Sequence, residues 1–137
     1  MIKYFPADDI RQRIEQLIGI LDMGHIDMDR ITCVRSRGSS SRRIVARCHA
    51  LPKIMQHALQ RDAHYVIEVI SERFDRLSDD VQVKTLIHEL LHIPKSFGGG
   101  FRHHDYVCSR NVENMYRLYV NYPNINVREI CKQQAVI

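Results

Sequence analysis

His88, Glu89 and His92 stand in the stretch "HELLHIPKSFGGGFRHHD", which runs from position 88 to 105 and also holds His103 and His104. On a helix each residue turns by about 100°, so His88 and His92 differ by only about 40° of rotation. Both imidazoles can then reach one ion, about 2.0–2.1 Å from their nitrogens if that ion is zinc. Glu89 falls beside the same ion, where a base must sit to take a proton from a metal-activated water. Leu86, Ile87, Leu90, Leu91 and Ile93 surround the trio with apolar side chains that anchor the helix and keep the site partly dry. A catalytic zinc usually has three protein ligands and an open position. Pro94 ends the helix, and Gly98, Gly99 and Gly100 let the chain turn back and deliver "FRHHD". His103 and His104 cannot both face the same ion, and spacing leaves the choice between them open. A structural zinc is normally closed by four protein ligands, often thiolates. Cys108 is the nearby candidate, but a glutamate between two helical histidines is wasted on such a site.

The elements that must position these groups follow from periodicity. "DDIRQRIEQLIGIL" puts Ile10, Ile14, Leu17, Ile18 and Leu21 on one helical stripe, with Asp8 and Asp9 at the favourable N-terminal end. "RITCVRSR" and "RRIVARCHA" flank a Gly-Ser-Ser-Ser turn and predict a β-hairpin. Pro52 suits the start of a short helix, "KIMQHALQ", with Ile54, Met55, Ala58 and Leu59 as its apolar residues. "HYVIEVI" is a nearly continuous apolar run and predicts a buried third strand. Ser78, Asp79 and Asp80 cap the motif helix. A further helix is expected over roughly 105–121, with Cys108, Val112, Met115 and Tyr119 inward and Pro123 ending it. The expected fold is α+β: one domain over 1–137, a small, about three-stranded sheet with helices packed on it.

Composition sets the class. The chain has 45% hydrophobic and 26% charged residues, as a globular protein does, and no apolar run long enough for a membrane span. "MIKYFPADDIRQRIEQ" carries acids where a signal peptide would carry its apolar stretch, so a cytoplasmic location is expected. Cys33, Cys48, Cys108 and Cys131 lie far apart without a CxxC pair, which argues against a thiolate zinc knuckle or a secreted disulfide framework. In a symmetric hairpin Cys33 would face Cys48, and a bridge there would need an oxidising or hyperthermophilic cytosol. His25, His49, His57 and His64 lack ligand spacing and are expected to be surface or hydrogen-bonded residues. Net charge is +4, but residues 30 to 61 hold eight basic side chains and no acidic one. The rest of the chain has twelve basic against sixteen acidic residues and is net negative.

"HELLHIP", followed by a short glycine loop, an arginine and a histidine, resembles the small zincin-like metallopeptidases of archaea and their viruses, themselves distantly similar to SprT-like proteases. The similarity extends upstream through "RSRGSSSRRIVAR", "LPKIMQHAL" and "HYVIEVISERFDRLS", covering roughly residues 30 to 105. It implies a zincin-like fold with HExxH on the active-site helix. It makes His104, two places after Arg102, the third ligand beside His88 and His92, and leaves His103 without an assigned role. Pro94, shared by this subgroup, implies that the metal helix ends early.

The expected activity is therefore Zn²⁺-dependent hydrolysis of a peptide or protein substrate, with Glu89 as general base. Arg102, His103 and Tyr106 are the nearest candidates in sequence for stabilising the oxyanion, and the resemblance, which includes the arginine, puts Arg102 first. Asp105 and Glu113 are the carboxylates near enough in sequence to orient a ligand, with helix capping the more ordinary role for Asp105. The alternative starts from the basic segment. Arg35, Arg37, Arg42 and Arg43 around a Gly-Ser turn could contact phosphates, either in a protease acting on DNA-bound proteins or in a non-catalytic, zinc-stabilised binding module. No aromatic residues interleave with these arginines, which weakens single-strand binding. If a strand borders the site, an extended peptide could pair along its edge. Nothing in the sequence fixes oligomeric state.

Overall fold

The computed structural model describes residues 1–103 and 106–122. Four strands, β1 (Lys3–Pro6), β2 (Ile31–Arg37), β3 (Ala46–Ala50) and β4 (Tyr65–Ile70), form one sheet in the order β1-β2-β4-β3. The helices are α1 (Asp8–Ile20), α2 (Lys53–Leu59), α3 (Ser71–Phe74), α4 (Asp79–Leu91) and α5 (Ser109–Val120). The α+β class agrees with the sequence reading, with four strands in place of three. None of these helices is long and apolar enough to cross a membrane.

The apolar run at 65–70 becomes a central strand, flanked by β2 in parallel and by β3 antiparallel. Tyr65, Ile67 and Val69 are fully buried in one apolar cluster with Ile31 and Cys33, the α1 stripe of Ile10, Ile14 and Leu17, and Leu86, Ile87 and Leu90 of α4. Each such aliphatic side chain contributes about 1.5–3 kcal/mol on burial, which is what fixes α4 to the sheet.

Two expectations are overturned here. β2 and β3 do not form a hairpin, because β4 lies between them and bonds to both. An almost wholly apolar strand gains most when covered on both edges and both faces, and this outweighs the local turn between 37 and 46. Cys33 and Cys48 are consequently both registered on Ile67 from opposite sides. Two strand spacings, about 9.6 Å, separate them, beyond disulfide reach, and both are free thiols. Burial pushes Cys33 to about 11 and Cys48 to about 12, so both are protonated at neutral pH. Cys108 is also free; Cys131 lies outside the described residues.

The missed strand, β1, pairs antiparallel with β2 and is exposed at every position, so it carries no burial pattern to read. Pro6 at its end suits a sheet edge. α2 forms where Pro52 predicts, but Ile54, Met55 and Leu59 are exposed. Its half-buried side chain is Gln56, whose amide donates to the carbonyls of Leu51 (2.9 Å) and Gly98 (3.2 Å). Ser78 occupies the N-cap position of α4 without a side-chain cap bond. α5 starts at Ser109, later than expected, with Val112 and Tyr119 buried and Met115 half-buried. Asp105, Pro123 and the tail beyond it lie outside the described residues.

Glu68 braces the strands around the site. It is buried, accepts from Ser36 Oγ on β2 (2.6 Å) and lies 2.7 Å from His49 Nε2 on β3. Burial pushes its carboxyl up, but the hydrogen bonds from Ser36 and His49 outweigh that and hold it below the usual glutamate range.

Candidate active site

His88 and Glu89 lie in the last turn of α4, and His92 is its C-cap residue. The helix thus ends at the motif, as Pro94 two residues later requires. His88 and His92 are half-buried and face each other, with their Nε2 atoms 3.3 Å apart and their rings edge-on. His92 Nδ1 lies 3.0 Å from the carbonyl of Arg102. A carbonyl only accepts, so Nδ1 carries a proton, and in the neutral ring the lone pair is then on Nε2, turned to His88. A carbonyl partner on the far ring nitrogen is the usual way a protein fixes the tautomer of a metal-binding histidine. Two nitrogens bound tetrahedrally to one ion at 2.0–2.1 Å would stand about 3.3–3.4 Å apart. The observed pair fits that spacing.

Glu89 lines the gap between α4 and β3 together with His88 and is 7% exposed. Burial pushes its carboxyl up to about 7, against the backbone amide of Cys48, which pulls it down. A carboxyl in that range can take up and give back a proton near neutrality, although a dication next to it would pull it lower.

The register of β3 explains why Cys48 offers an amide. Ile70 N–H donates to Val45 O and Leu51 N–H to His64 O, both at 2.8 Å. Alternation then gives Val45, Arg47, His49 and Leu51 the bonds to β4 and turns the N–H and C=O of Ala46, Cys48 and Ala50 outward. β3 is an edge strand of the described sheet, and its outward Cys48 amide meets Glu89 of α4. A cleft of about 610 Å³ lies between them. His88, Glu89 and Lys84 line one side, Val45, Ala46 and Arg43 the other, with Val107 and Val112 also contributing.

The loop after α4 is fixed by three elements. Arg102 N–H donates to His92 O at 2.7 Å, the return half of the clasp with His92. Tyr65 OH, from β4, donates to Gly100 O (2.8 Å) and accepts from Gly99 N–H (2.9 Å). Gln56 of α2 holds Gly98 O. Gly99 has φ +105°, and a Cβ there would stand 2.5 Å from Gln56 Nε2, so this position requires glycine. Tyr65→Phe would leave the Gly99 amide and Gly100 carbonyl without their partner. A loss of about 1–3 kcal/mol of stability is expected, read as a lower denaturation midpoint, with faster amide exchange concentrated at 97–101. The sequence gives no hint of this hydroxyl's role, since Tyr65 reads only as a strand residue.

The other site candidates are distributed as follows. Arg102 is half-buried, with its guanidinium 3.3 Å from the centre of the Tyr106 ring. His103 is exposed, and its carbonyl accepts from Tyr106 and Val107 amides. His104 and Asp105 lie outside the described residues. Among the described residues no group of three or more His, Cys, Asp or Glu is placed to hold a metal. Glu113 pairs with Lys84 at 2.8 Å. Arg35 is held by Asp9 and Asp75 and does not line the cleft, and its pairing holds the Asp9 carboxyl below its usual range. Arg37 stacks on Phe5 at 5.7 Å, Arg42 is exposed, and only Arg43 of this group lines the cleft. His25, His49 and His64 have partners in Ile93 O, Glu68 and Thr32, and His57 is exposed.

A family model described as "Putative phage metallopeptidase" matches residues 2–133 of the chain. No curated protein matches it, and no solved structure does.

Proposed function

This chain belongs to the phage metallopeptidase family, and on that premise we propose that it hydrolyses peptide bonds with Zn²⁺ held by His88, His92 and His104 and with Glu89 as general base. The observation that carries the reading is the pair of Nε2 atoms 3.3 Å apart beside a buried glutamate. His104 lies outside the described residues; its assignment rests on the resemblance and on the clasp between Arg102 and His92, which keeps the segment ahead of it against the end of α4.

Zinc so held supplies Lewis acidity, polarising the scissile carbonyl and lowering the pKa of a water toward about 7. Glu89 takes a proton from the attacking water as its oxygen bonds to the carbonyl carbon. It passes that proton to the amide nitrogen as the C–N bond breaks. Arg102 forms no ion pair among the described residues, and its guanidinium is the donor assigned to the oxyanion. Tyr106, stacked against it, orients that group. The outward groups of Ala46 and Ala50, with the outward carbonyl of Cys48, offer an extended peptide an edge to pair with, so recognition is largely of backbone.

A second reading gives the basic segment a nucleic-acid partner. What favours it is that Arg42 and Arg43 are exposed, with no ion pair among the described residues. Against it, Arg35 is committed to Asp9 and Asp75.

The test is proteolysis of an unfolded protein by the purified chain. Cleavage should stop with a chelator and return with zinc. Cleavage that persists in the chelator would remove the metal from the mechanism.

A further inference from the structure

We propose that the cleft selects substrates with acidic residues on the carboxyl side of the cleaved bond, Arg43 and Arg42 being the residues that choose them. This rests on the peptidase reading above and adds its substrate class. Arg43 lines the same cleft as His88 and Glu89, at the end where β3 begins. Neither Arg42 nor Arg43 has an ion pair among the described residues, whereas the cleft's other cation, Lys84, is neutralised by Glu113. No acidic residue occurs between positions 30 and 61, so no carboxylate of the segment itself offsets this charge. The end of the cleft is therefore an unbalanced positive field beside a backbone-binding edge.

Strand direction converts this into a position. A peptide pairing antiparallel to β3 runs from Ala50 toward Ala46, past Cys48 and Glu89. Its residues beyond the scissile bond travel toward Arg43. At about 3.4 Å per residue, and with the length of an arginine side chain, the guanidinium groups meet side chains about two to five residues past that bond. Both arginines are exposed, and exposed pairs are individually weak. The selectivity is accordingly expected to be about threefold to tenfold at low salt, and to fade as ionic strength rises. Nucleic-acid phosphates would be drawn by the same charge. A peptide is favoured because Arg43 shares the cleft with Glu89, while Arg35 at the far side of the segment is already paired.

The experiment is cleavage of a mixed peptide library, with every cut site identified by mass spectrometry. Wild type, Arg42→Glu/Arg43→Glu and Arg42→Gln/Arg43→Gln are compared at low and high salt. Wild type should enrich Asp and Glu two to five residues beyond the cut. The glutamine variant should lose that enrichment, and the glutamate variant should shift toward Lys and Arg. Cuts without acidic enrichment, enrichment only on the amino side, or enrichment unchanged in both variants would overturn the proposal. So would salt-sensitive binding of a DNA oligonucleotide that depends on Arg42 and Arg43 while cut sites stay the same. A wild type that cuts no peptide, with zinc bound, would bring down the peptidase reading itself.

Discussion

Glu89→Gln is expected to keep its zinc and to lose peptide hydrolysis by about 10²–10⁴-fold, the usual range for a general acid–base residue. The substitution preserves shape and can still accept from the Cys48 amide, so fold and cleft should survive. It removes the buried carboxyl that lines the cleft with His88. Turnover and zinc content must be measured on the same sample, because they separate two failures. A variant without zinc would make Glu89 a support for the ligands. A zinc-loaded variant with full activity would sink the proton-transfer role.

His88→Ala and His92→Ala should each weaken zinc binding by more than about a hundredfold, since altering even the groups that support metal ligands costs 10–100-fold. Stability offers a second readout. Zinc at about a hundred times its dissociation constant should stabilise wild type by about 2.7 kcal/mol and leave both variants unmoved. His92→Ala also removes the bond to the Arg102 carbonyl, so its loss should be at least as deep. Equal stabilisation of wild type and variants would place the metal elsewhere.

What could be read from sequence was whatever periodicity or local geometry determines. The stripe of Ile10, Ile14 and Leu17 gave α1, and the run at 65–70 gave β4. Spacing alone put His88 and His92 on one face with Glu89 beside them. The hairpin was misread because its two segments are locally well suited to pair, while their separation by β4 is a property of the whole sheet. That strand's apolar character on both faces already implied neighbours on both edges. β1 had no apolar alternation to betray it. Arg35 read as a candidate for phosphate contact because the carboxylates that hold it are 26 and 40 residues away in the chain. Tyr65 and Gln56 hold the glycine loop through long-range polar contacts, which leave no local trace. The choice between His103 and His104 turned on the resemblance, since neighbours in sequence differ only in direction.

That choice also yields the most direct measurement: zinc per chain in protein purified without added metal, for wild type, His103→Ala and His104→Ala. One zinc in wild type and in His103→Ala, with little in His104→Ala, is the predicted result. Loss in His103→Ala instead would move the third ligand by one residue. No zinc in any of the three, even after zinc is offered, would contradict the metal centre.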